Sequence, residues 1–191
     1  MRKTFPGTLF LVVGNSGSGK DSIIKGISKK YPANLKEVCI PKRYITRKAS
    51  ETENNIMISP SEFKEKSNKG LFALEWKIYG LLYGIPIEID EWLKNGHPVI
   101  INVSRTVIEK ACEIYQNTKV VFIEVPFEII LKRLRERERE DDIQLKQRIE
   151  RARKNQTFPA ADFIIDNSGK LDNAIDQFLN YIIKVLESKN E

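Results

Sequence analysis

The chain has 191 residues, 41% of them hydrophobic and 30% charged, with a net charge of +6. That length predicts one folded domain whose core needs no disulfide or metal staple. Two cysteines and one histidine are too few for a disulfide framework or a zinc site, and no apolar run approaches the ~20 residues of a membrane span. The positive balance suits a protein that handles polyanions. Its basic residues are dispersed among acids rather than stacked in a stripe, which argues against nucleic acid as partner. Met1-Arg2-Lys3 leads straight into the first strand with no signal segment, and Cys39 and Cys112 read as reduced core residues. The expected setting is the cytoplasm.

Thr8–Val13 is apolar and β-rich, as a buried parallel strand should be. Lys20–Lys30 carries Ile23, Ile24 and Ile27 at helical spacing. Between them stands Gly14-Asn15-Ser16-Gly17-Ser18-Gly19-Lys20, the Gly-x-x-x-x-Gly-Lys frame of a phosphate-binding loop in its required strand–loop–helix context. Glycines at 14, 17 and 19 let successive N–H groups curl around an anion. The helix N-terminus adds its orphan donors and positive dipole end. Lys20 is expected at the β- and γ-phosphates of a nucleoside triphosphate. Asp21 stands where the frame expects Ser or Thr. Two readings are open: a carboxylate ligand for Mg²⁺, or an anion favoured in the first turn by the helix dipole alone. Ser22 offers a hydroxyl one position late.

Residues 35–95 are polar and turn-rich, with short strands and a helix-like stretch Ser59–Lys69. In a strand, Arg43, Ile45 and Arg47 share one face, and two arginines there suit one or two phosphates. In the run from Glu75 to Gly84, Trp76 is expected to pack; Tyr83 either lines a pocket or packs. His97, before Pro98, reads as a loop or strand-edge residue. Further strands are expected at Val99–Val103, Lys119–Val125 and Asp162–Asp166, and helices at 105–116, 126–139, 143–154 and 171–188. This alternation predicts an α/β fold: a parallel sheet with helices on both faces, interrupted by two insertions. One insertion, about 35–95, would hold a phosphoryl acceptor. The other, about 133–155, would close over the donor as a lid. There, pairs four apart are alike in sign, Arg133/Arg137, Arg135/Arg139 and Glu136/Glu140, so the stretch is not tuned for helix stability alone. Clustered guanidiniums, with Arg148 and Arg151 beyond, suit an incoming phosphate.

With these residues in view, the chain resembles the guanylate kinase branch of P-loop kinases from residue 8 to the final helix. The likeness is carried by Gly14–Lys20, Thr46-Arg47 followed by Glu53, Glu75-Trp76, Tyr83-Gly84, Arg133–Arg137 with Arg148, and Asp162–Asn167. There are departures. Ser50 stands near the place of a second clamp arginine, Ile56-Met57-Ile58 replaces a tyrosine, and Arg43 replaces a serine. Ile101-Asn102-Val103-Ser104-Arg105 lacks an expected Asp-x-Asp, and the spacer from Trp76 to Gly80 is one residue short. Together with Asp21 they resemble the ribose 1,5-bisphosphate phosphokinases, relatives of guanylate kinase.

That resemblance implies a P-loop kinase fold, one domain over residues 1–191, and transfer of the ATP γ-phosphoryl group to the 1-phosphate of ribose 1,5-bisphosphate, with Mg²⁺ as cofactor. Lys20, Arg133, Arg137 and Arg148 would be catalytic. Gly14, Asn15, Ser16, Gly17, Ser18, Gly19, Lys20, Asp21 and Ser22 would bind ATP, Asp21 also the metal. Arg43, Arg47, Glu75 and Tyr83 would bind the acceptor. Partners would be ATP and a sugar bisphosphate, with no nucleic acid and no membrane; oligomeric state is not legible. The alternatives are guanylate kinase itself and a catalytically silent binding module of that fold. An acceptor phosphate, with its second pKa about 6, is already ionised at neutral pH, so no general base is needed.

Overall fold

The computed structural model describes residues 2–47, 55–78, 80–136 and 142–189. In chain order the elements are β1 (Leu9–Gly14), α1 (Lys20–Lys30), β2 (Arg43–Ile45), β3 (Asn55–Met57), α2 (Pro60–Asn68), β4 (Phe72–Ile78), β5 (Leu81–Pro86), α3 (Ile89–Lys94), β6 (Val99–Asn102), a 3-10 turn (Arg105–Val107), α4 (Ile108–Ile114), β7 (Thr118–Glu124), α5 (Phe127–Arg135), α6 (Asp142–Lys154), β8 (Phe163–Asp166) and α7 (Leu171–Glu187). The expected α/β architecture is present: a parallel sheet, in order β6-β1-β7-β8, flanked by helices. Its strands are near-continuous apolar runs because both faces are covered.

The chain falls into two compact units, residues 1–11 with 31–119 and residues 12–30 with 120–191. β1 and β7 contribute residues to both. In the second unit, α1 buries Ile23, Ile24 and Ile27, and α7 buries Ala174, Ile175, Phe178, Ile182 and Val185. These stripes at helical spacing are the apolar faces that packing requires. The two helices approach so closely that a Cβ on Gly26 would lie 2.2 Å from Ile175 Cδ1.

The first unit contains a second sheet, in order β3-β2-β5-β4. β2 and β3 are parallel; β5 is antiparallel to both β2 and β4. One face buries Ile45, Leu74 and Ile85. α2 starts with a capping box between Ser59 and Glu62, with Pro60 in its first turn, as the Ser59–Lys69 stretch predicts.

Some expectations change. Arg47 does not continue the strand of Arg43: β2 stops at Ile45. The Thr46 hydroxyl accepts from Leu82 N at 2.9 Å in place of a backbone carbonyl, which ends the ladder. The helix predicted at 105–116 opens as a 3-10 turn and closes at Ile114. Cys39 and Cys112 form no disulfide and are half-buried rather than in the core. His97 is a loop residue, its Nδ1 2.9 Å from Glu37 O.

Lys3, Asp90 and Tyr115 tie the N-terminal segment to the first unit. Lys3 bonds Asp90, and the Tyr115 hydroxyl donates to Asp90 at 2.6 Å. Burial first, then the Asp90 carboxylate, raises the Tyr115 pKa above its ordinary value. A raised pKa means that folding disfavours the phenolate. This contribution is whole below pH ~10, where the unfolded tyrosine titrates, and declines as pH rises beyond it. Melting temperature should therefore fall steeply above pH ~10 in the wild type. Tyr115→Phe should lose about 1–3 kcal/mol at neutral pH and show a shallower alkaline fall. Equal alkaline slopes in the two proteins would exclude Tyr115 as the group responsible.

Candidate active site

β1 delivers the chain at Gly14 and α1 receives it at Lys20, so the intervening loop is pinned at both ends. Gly17 and Gly19 take φ of 85° and 86°, a region that side-chain-bearing residues rarely adopt. A Cβ on Gly19 would also lie 2.5 Å from Asn167 Nδ2. Ser18 is fully buried. Lys20 Nζ donates to the carbonyls of Gly14 and Asn15 at 2.8 Å each and lies 3.3 Å from Ser18 Oγ. Its charge is thus carried at the loop itself. Ser22, in the first turn of the helix, is exposed.

Two of the arginines expected in the lid meet this loop, all within the second unit. Arg133, in the last turn of α5, donates to Gly17 O at 3.4 Å and to Asn167 O at 3.2 Å. Arg148, on α6, donates to Ser16 Oγ at 2.9 Å. Arg137 lies outside the described residues. Asn167 joins this group of residues, and the sequence did not name it as a site residue. Buried just past β8, it donates from Nδ2 to Ser18 O at 2.7 Å and so braces the loop from the sheet side. Its sequence signals are its place at the end of an apolar run and within the Asp162–Asn167 segment of the family likeness.

In the first unit, Arg43 donates from Nε to Asn55 Oδ1 at 3.1 Å and from Nη1 to Asn102 O at 3.1 Å. Two supports fix the plane of the guanidinium. Tyr83 stacks on Trp76, with ring centroids 5.3 Å apart and planes 4° apart. The register separates the expected acceptor set. Ile45, Tyr83 and Trp76 pair in one row, while Tyr44, Gly84 and Glu75 pair in the next. Directly paired residues share a face and adjacent rows alternate. Arg43 and Tyr83 are therefore on one face, and Glu75 is on the other. Glu75 Oε2 is buried with no hydrogen-bond partner among the described residues. Arg47 is half-buried in the bend after β2. Glu53 and Ser50 lie outside the described residues.

Asp21 sits half-buried in the first turn of α1. Among the described residues no group of three or more His, Cys, Asp or Glu side chains is placed to hold a metal ion. Mg²⁺ does not require such a cage, since it is commonly held by one or two carboxylates with substrate phosphates and water. One carboxylate at the mouth of a phosphate loop fits that donor set.

The guanylate kinase family model matches residues 7–185. The ribose 1,5-bisphosphate phosphokinase PhnN of Bradyrhizobium diazoefficiens is 37% identical over 167 residues, covering 87% of this chain and 83% of the relative. That of Pectobacterium atrosepticum is 38% identical over 173 residues, covering 89% and 90%. Among solved structures, a guanylate kinase from Anaplasma phagocytophilum aligns with a TM-score of 0.64 at 16% identity, over 99% of this chain and 88% of that one. This last likeness speaks to fold alone. Among the described residues no helix is long and apolar enough to cross a membrane.

Proposed function

The chain belongs to the guanylate kinase family, and from that premise we propose that it transfers the γ-phosphoryl group of ATP to the 1-phosphate of ribose 1,5-bisphosphate, giving 5-phospho-α-D-ribose 1-diphosphate and ADP. The observation that carries the choice of acceptor is Arg43, a guanidinium oriented by Asn55 and Asn102 where guanylate kinases carry a serine. A fixed fork is the arrangement that recognises a phosphate bidentately. The names of relatives at 37% and 38% identity support the same acceptor.

The roles divide by chemistry. The loop from Gly14 to Ser22 holds the triphosphate. Lys20 neutralises charge on the β- and γ-oxygens, and the lid arginines Arg133, Arg137 and Arg148 face charge that grows during transfer. Asp21 would hold Mg²⁺, which when bound screens the triphosphate oxygens. Arg43 and Arg47 take the acceptor's phosphates, with Tyr83 beside them. Glu75, on the other face of the sheet from Arg43 and Tyr83, is given no contact with an acceptor held by those two. The attacking oxygen is already ionised at neutral pH, so catalysis reduces to positioning and charge neutralisation. We read the whole as one kinase domain working in the cytoplasm, where ATP is supplied.

Guanosine monophosphate as acceptor is the second reading, favoured by the retained Glu75 and the shared fold. ADP release from ATP and Mg²⁺ with each acceptor in turn separates the two. Turnover with the sugar bisphosphate alone is expected, and Arg43→Ala should raise its KM roughly tenfold to hundredfold. Turnover with the nucleotide alone reverses the assignment. None with either returns the chain to a silent module, which Lys20 and Arg148 at the loop argue against.

A further inference from the structure

Building on the reading of Arg148 as a lid arginine, we infer that Asn15 is a positioning residue: its side chain caps the lid helix α6 and so sets Arg148 against the phosphate loop. A helix ends with carbonyls that have no partner within the helix. At the C-terminal end of α6, the carbonyls of Asn155 and Ala152 accept from Asn15 Nδ2 at 2.9 and 3.3 Å. The capping group thus comes from a distant part of the chain. Asn155 tightens the same end by donating from Nδ2 to Arg151 O at 2.7 Å. Arg153, in this last turn, lies 5.4 Å over the Phe127 ring at the start of α5.

The loop residue after Asn15 grips the same helix nearer its start, where Arg148, four residues before Ala152 and seven before Asn155, donates to Ser16 Oγ at 2.9 Å. Consecutive loop residues therefore clasp α6 at two levels about one to two turns apart. In the phosphate-loop frame the anion is held by backbone N–H groups, which leaves the side chain at this position free for other work. Here that side chain is 8% exposed and directed to the helix end. An asparagine supplies two N–H donors there. An aspartate of the same shape supplies none and sets a negative charge against two carbonyl oxygens.

The test is a double-mutant cycle of Asn15→Asp and Arg148→Ala, run with ATP and whichever acceptor the wild type turns over. A change of acceptor would overturn the assigned substrate without touching the cycle. Asn15→Asp alone is expected to lower kcat roughly 30-fold, the equivalent of two ordinary hydrogen bonds, with the KM for ATP within about threefold of wild type. In the Arg148→Ala background the same change should cost no more than about twofold, because its effect runs through the arginine. Asn15→Ala, which adds no charge, should follow the same pattern and carries the cycle if the aspartate variant does not fold, as judged by thermal melting. Equal losses in both backgrounds, or an unchanged kcat for Asn15→Asp, would overturn the inference.

Discussion

Lys20→Met lowers phosphoryl transfer by roughly 10³-fold or more, with the protein still folded. The ammonium is held by two loop carbonyls at 2.8 Å, so its charge stands at the loop without the need to recruit a flexible side chain. During transfer, negative charge is shared among the γ-oxygens and the leaving β-phosphate. A fixed positive charge is worth more to that state than to bound ATP. Methionine keeps the length and the apolar stem and removes only the charge and its donors. Loss of bonds from a half-buried amine to neutral carbonyls costs a few kcal/mol at most. Steady-state ADP release, beside calorimetric ATP binding, checks this. A loss below tenfold with ATP affinity intact would remove Lys20 from the transfer step.

Arg148→Ala is expected to reduce kcat by roughly 10³-fold with little change in the KM for ATP, and Arg148→Lys to recover little of it. The guanidinium offers a planar fork of donors, and lysine offers a strongly hydrated point charge. The side chain already reaches the loop, donating to Ser16 Oγ at 2.9 Å. Arg133 differs in kind. Two of its donors go to the backbone carbonyls of Gly17 and Asn167, so its loss disturbs the shape of the loop along with the charge above it. Single-turnover kinetics of Arg148→Ala separate the transfer step from product release. A kcat within tenfold of wild type would exclude Arg148 from the charge that stabilises transfer.

The loop between β1 and α1 was legible because its signals are local. Three glycines and a lysine at fixed spacing, between an apolar run and a helical stripe of isoleucines, define a loop within a few residues. The helices at 143–154 and 171–188 follow from periodicity and stand within a residue of their observed bounds. The contacts that brace the loop were not legible. Asn167 to Ser18 and Asn15 to Asn155 join residues 149 and 140 positions apart, and no local pattern encodes such pairs. On the acceptor side, β2 and β3 are three residues each, too short for alternation to declare itself. The face on which Glu75 lies depends on how β4 registers against β5. A slip of one residue would have placed it beside Arg43 and Tyr83.

The division of the chain has a consequence for its synthesis. Every residue of the acceptor-side unit has been made once residue 119 is reached. The phosphate loop is made within the first 20 residues, but the groups that shape it arrive last: Arg133, the end of α6, Asn167, and Ile175 on α7 against Gly26. A nascent chain thus carries this loop unbraced until residue 175 has been added. The loop's sequence comes early, but its shape waits on contacts made late.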